Sequence, residues 1–161
     1  MLAMSRLILW AVFMLAVGLS ACGSEPPSAD EQARLEKEFQ ESMTDVVLVG
    51  NFTVTGRGDD AQLRPERYEV KSVNHVAGDI WTFTTRIQYG ENDLTVPVPV
   101  KLMWAGDTPV VTLTDADIPG VGTFTARVVF YRDHYSGMWW HGETGGNQFG
   151  RLLRGDEAKA E

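Results

Sequence analysis

The chain has 161 residues, 22 acidic against 14 basic side chains for a formal net charge of −8, and one cysteine. An acidic chain without a run of Lys and Arg offers no surface for a phosphate backbone, which excludes nucleic acid as a partner. One cysteine excludes an intramolecular disulfide, and the length holds a single domain with a short extension.

Residues 1–21 carry one charge, Arg6, then an apolar run from Leu7 to Val17, then small residues. This is the three-part build of a secretory signal peptide. About a dozen apolar residues precede Gly18, short of the roughly 20 that a spanning helix needs, so the segment reads as a cleaved leader. Leu19-Ser20-Ala21-Cys22 resembles the lipobox of bacterial lipoproteins. The resemblance implies cleavage before Cys22, lipidation of that cysteine with fatty acyl chains such as palmitate, and attachment to a membrane without a spanning helix. Gly23 stands where the inner-membrane retention signal of Gram-negative lipoproteins places Asp. It therefore implies an outer-membrane address in the bacterial cell envelope, facing the periplasm.

Residues 22–45 read as a lipidated tether followed by a short amphipathic helix. Pro26-Pro27 stiffens the tether toward an extended form, and Ser28-Ala29-Asp30-Glu31 fits a capping box. Leu35, Phe39 and Met43 then recur every four residues among charged neighbours, giving one narrow apolar stripe. The body of the domain is the expected surface for it to lie on.

After Asp45 the period becomes two. Stretches 46–55, 67–77, 80–89, 93–104, 108–114, 122–132, 135–141 and 147–154 are rich in Val, Thr, Ile and aromatics, with Gly-, Asn- and Asp-bearing links between most of them. Eight strands with short turns and no crossover helix make an all-β antiparallel meander. The expected architecture is a calycin-like or partly open barrel over 46–155, with 156–161 as an acidic tail. Alternation puts Trp81, Phe83, Ile87, Phe124, Val128 and Phe130 inside and Arg86 and Arg127 outside. Val96-Pro97-Val98-Pro99-Val100 lacks two N–H groups along one edge, so an edge, bulge or gap is expected there, against perfect closure.

The densest chemistry lies between Tyr135 and Leu152. Tyr135-Ser136-Gly137-Met138-Trp139, His141-Gly142, Gly145-Gly146 and Phe149-Gly150-Arg151 resemble the last strands of a family of uncharacterised small bacterial β-proteins, a likeness running back to Val46. It implies a single β-domain at the C-terminus of an exported protein and supplies no activity. Adjacent Trp139 and Trp140 must point to opposite faces. One fills the core, while the other is exposed or lines a cleft where it can stack on a sugar or lipid headgroup. His141 and Glu143 share a face if a strand runs through both, as an acid–base pair or two metal ligands would. Nothing in the sequence brings a third ligand to them, since the other histidines are His75 and His134. No nucleophile elbow, phosphate loop or paired-cysteine spacing is present.

The first reading is therefore a binding module with no catalytic residue, cofactor or metal, anchored through Cys22. It holds a small apolar or amphipathic ligand, or a glycan, near Tyr135, Trp139, Trp140, His141, Glu143, Asn147 and Gln148. The alternative is a structural or assembly protein of the cell envelope that contacts another envelope protein. A hydrolase using His141 and Glu143 ranks third.

Overall fold

A computed structural model describes residues 27–55, 62–89 and 92–160. The leader, the lipobox with Cys22, most of the tether and the link at 56–60 lie outside them. Helix α1 spans Ala29–Ser42, and its N-cap Ser28 accepts a hydrogen bond from the Glu31 N–H at 3.3 Å, as the capping box predicts. Its stripe of Leu35, Phe39 and Met43 is buried, Met43 to 1 % exposure.

The strands are β1 Val46–Phe52, β2 Arg64–Ala77, β3 Ile80–Tyr89, β4 Asn92–Ala105, β5 Thr108–Ile118, β6 Gly122–Tyr131, β7 His134–His141 and β8 Thr144–Leu153, followed by a single helical turn, α2, Glu157–Ala160. Each strand pairs antiparallel with the next, and β1 pairs with β8 from Val47↔Leu153 to Phe52↔Gln148, so the meander is a closed barrel. A period of two puts one row of each strand inside: Trp81, Phe83, Ile87, Val128 and Phe130 are buried, and Phe124 packs against them. Arg86 and Arg127 lie outside. Arg86 grips both oxygens of Asp93 at 2.7 and 2.6 Å, and Arg127 donates to the Leu113 carbonyl and the Thr114 hydroxyl.

Closure corrects the expectation of a partly open barrel, and the prolines show why both features coexist. Strand β4 pairs with β3 without a register shift from Asn92 to Lys101, including Thr84↔Pro97 and Thr82↔Pro99. Its ladder with β5 covers only Lys101↔Thr112 to Ala105↔Thr108. Pro97 and Pro99 fall where β4 has no partner on the β5 side, so their missing N–H groups break no ladder. Strand β5 bends away through a register shift between Leu113 and Ala116. Asp115 there takes a φ of 47°, its N–H donating to the Thr125 hydroxyl, which donates back to its carboxylate. The gap is thus a local seam in a ring closed elsewhere by β1 and β8.

Four strand boundaries also differ from expectation by three residues or more, the first being the end of β1 at Phe52 rather than at 55. Strand β5 continues past its bulge to Ile118, four residues beyond the expected stretch 108–114. Strand β2 begins before Pro65 rather than after it, and β8 begins at Thr144, taking in the Gly145-Gly146 pair expected in a loop. The chain leaving β1 explains the last case. The Thr53 N–H donates to the Asn147 carbonyl at 2.9 Å, and the Asn147 N–H donates to the Thr53 hydroxyl at 3.0 Å. A Cβ on Gly146 would lie 1.8 Å from the Thr53 carbonyl oxygen, so only glycine permits that approach.

Alternating connections give the barrel two unlike ends. At one, α1 lies over the start of β1 and the end of β2. Phe39 meets Trp81, Phe83, Trp104 and Phe130 with ring centroids 6.1–6.3 Å apart, three of the four edge-on. At the other end, the finish of β1, β5 and β7 and the start of β6 and β8 form a rim with no helix over it among the described residues.

Candidate functional site

An eight-stranded barrel is just wide enough to fill itself with side chains or to hold one small ligand. Here the interior is not filled. A cavity of about 440 Å³ runs from Met43 beneath α1 to Phe124, His141, Thr144 and Gln148 at the opposite rim. Its volume falls within the range of about 300–1,000 Å³ typical of small-molecule pockets. The walls are mainly aliphatic and aromatic, contributed by all eight strands, and among the described residues no Lys or Arg lines it.

Glu66 is the exception to that apolar lining. It is 5 % exposed, and apart from Thr85 it is the one buried polar or charged side chain among the described residues. The register explains how it is held. Tyr135 on β7 stands opposite Gly150 on β8, Gly150 opposite Gly50 on β1, and Gly50 opposite Glu66 on β2. The four residues form one inward row across four strands. Tyr135 lies flat along this row: a Cβ on Gly150 would come within 2.7 Å of its ring, and one on Gly50 within 2.4 Å of its hydroxyl. The two glycines therefore let a tyrosine reach across two strands, where its hydroxyl donates to Glu66 Oε1 at 2.7 Å. Tyr68, two residues along β2 on the same face, donates to Oε2 at 2.9 Å. Burial pushes the Glu66 carboxyl above its ordinary value, opposed by the two tyrosine hydrogen bonds. Burial and the adjoining carboxylate push Tyr135 above the usual tyrosine range.

The seven candidate side chains from the closing hairpin divide between the two faces. Tyr135, Trp139, His141 and Gln148 line the cavity. Trp140 and Asn147 are exposed, away from the cavity lining, so the two tryptophans take opposite faces as alternation requires. Trp139 meets Phe52 edge-on at 5.8 Å near the rim, and its indole Nε1 is buried with no hydrogen-bond partner among the described residues. His141 packs on Phe124 at 4.6 Å.

The shared face of His141 and Glu143 is corrected. Strand β7 ends at His141, opposite Thr144, and Gly142 at φ 59° with Glu143 makes the two-residue turn between them. Glu143 is an exposed turn residue outside the cavity lining. Among the described residues no three His, Cys, Asp or Glu side chains gather where they could hold a metal ion.

Sequence reasoning missed Glu66 and Tyr68. The alternation Glu66-x-Tyr68-x-Val70 carries the signal, since residues two apart in a strand share a face and the other two belong inside. Starting the expected strand at 67 left Glu66 outside it. No protein-family model, curated protein or solved structure matches the chain.

Proposed function

We propose that this protein is a lipid-anchored binding module of the bacterial cell envelope whose barrel holds one small apolar or amphipathic molecule. The observation that carries the reading is the interior cavity: about 440 Å³, apolar on nearly every wall, with its few polar groups at Glu66, at Thr85 and along the rim. Convergent polar groups in a mainly apolar concavity are what a small-molecule site requires. The tether and lipobox supply the anchor: Cys22 carries the lipid, and the outer membrane facing the periplasm is its address.

A neutral solvatochromic dye tests the cavity. It should gain fluorescence with the purified protein, and Ala126→Phe, which fills the cavity from β6, should abolish the gain while leaving the β-sheet circular dichroism intact. Unchanged dye binding by that variant would refute the site. Mass spectrometry of the N-terminal peptide tests the anchor: an acylated Cys22 is expected, with Cys22→Ser releasing the protein from membranes.

A second reading, contact with another envelope protein, has its own support. The outer wall of β6–β8 exposes Val129, Met138, Trp140 and Phe149, each at least 40 % accessible. Exposed apolar groups clustered on one wall mark interaction surfaces. Phe149→Glu should then abolish co-purification of a partner and leave dye binding unchanged.

A further inference from the structure

The geometry points to an apolar amine as the cavity's ligand, a hydrocarbon chain or ring whose protonated amine docks on Glu66. This rests on the binding-module reading and names its ligand class.

Three observations converge. First, each oxygen of Glu66 accepts a hydrogen bond from a tyrosine, Oε1 from Tyr135 at 2.7 Å and Oε2 from Tyr68 at 2.9 Å. With both hydroxyls donating, the carboxyl is set up as an acceptor, and of the roughly four lone-pair positions of a carboxylate about two remain for a third donor. Second, the described residues around it contain no counter-charge. Among the described residues the cavity lining has no Lys or Arg, and its histidine, His141, packs on Phe124. A carboxylate in an apolar enclosure is costly unless it is paired, so a cation brought by the ligand completes a site that the described residues leave one charge short. Third, the same inventory ranks headgroups. A carboxylate, sulfate or phosphate placed beside Glu66 meets a like charge and no cation. A neutral alcohol can donate to a free lone pair but leaves the charge unmatched. An ammonium group supplies both the proton and the charge, while its hydrocarbon lies along walls such as Phe83, Ile87, Val98 and Val128.

Dodecylamine, dodecanol and dodecanoate, which share a chain and differ in headgroup, make the test. Each is titrated against the bound solvatochromic dye at neutral pH and below its micelle concentration. Dodecylamine should bind at least about tenfold more tightly than dodecanol, and dodecanoate most weakly. Glu66→Gln, nearly isosteric, should bring dodecylamine down to the dodecanol value and leave dodecanol unchanged. If that variant does not fold, the ranking on the native protein decides alone. Equal affinity for all three, or dodecanoate binding tightest, overturns the amine assignment while the cavity reading stands. Failure of all three probes and of the dye overturns both.

Discussion

The two ends of the barrel contain similar aromatic side chains and reach opposite results. At the α1 end, Phe39 enters from a separate element and meets four other rings, so the barrel is stoppered by a helix. At the rim, Phe52, Phe124 and Trp139 come only from the wall, meet in pairs such as Phe52 with Trp139 and Phe124 with His141, and surround a space instead of filling it. The contrast teaches that inward alternation builds a wall, and that a core forms only where another element supplies a plug. Strand pattern alone makes a container.

Removing the plug should have the largest effect. Phe39→Ala deletes the ring shared by Trp81, Phe83, Trp104 and Phe130 and should cost about 3–5 kcal/mol, the range for a buried Phe truncated in a core. Denaturant unfolding measures it, and a loss below about 1 kcal/mol would show that the helix rests on the barrel without closing it.

Trp139→Ala makes the corresponding cut at the rim. This side chain is half-buried against a cavity, and its indole N–H has no partner among the described residues, so the stability cost should stay below that at Phe39, at about 1.5–3 kcal/mol. Its larger consequence should be weakened dye binding. If the two truncations cost the same, the rim is core and the contrast between the ends fails.

Much of this architecture was legible in the chain because the physics that sets it is local. Ser28 caps α1 through a contact three residues long. Trp81, Phe83, Ile87 and Val128 face inward because strand side chains alternate, and Pro97 and Pro99 mark a gap because neither can donate to a neighbour. Closure was not legible: it depends on β1 meeting β8 across nearly the whole domain, and no short-range signal announces such a pairing. The same holds for the cavity. Glu66 reads as one more solvent-facing glutamate until four strands are set side by side and Tyr135 is seen to reach it across Gly150 and Gly50. The sequence marks the hairpin that carries Tyr135 and Trp139, while the carboxyl they share the cavity with lies 69 positions earlier than Tyr135.

The buried carboxyl gives the cavity a pH signature that the plugged end lacks. Burial raises the folded-state Glu66 value above its ordinary 4.5. Between 4.5 and that raised value the native chain holds a proton that the unfolded chain has released. Stability is therefore greatest on the acid side of this window and falls as pH rises through it. Among the described residues Tyr68 and Tyr135 hydrogen-bond the carboxyl, and both act as donors. The melting temperature of the native protein should fall relative to Glu66→Gln as pH rises from 4.5 toward neutrality. A difference that is flat across that range, or that grows in the opposite direction, would mean that water reaches the carboxyl and that the cavity is wet at its centre.

The smallest effect should come from the neighbour of Trp139 on the opposite face. Trp140 is 40 % exposed on the outer wall beside Val129, Met138 and Phe149, and it contributes no surface to the cavity. Trp140→Ser should leave stability within about 0.5 kcal/mol and leave dye binding unchanged, although it removes the larger part of a side chain adjacent in sequence to a cavity residue. Paired with Trp139→Ala, it separates inside from outside with one residue of spacing. If Trp140→Ser weakens dye binding as much as Trp139→Ala does, the dye is reading the wall's outer surface, and the interior loses its claim to be the binding site.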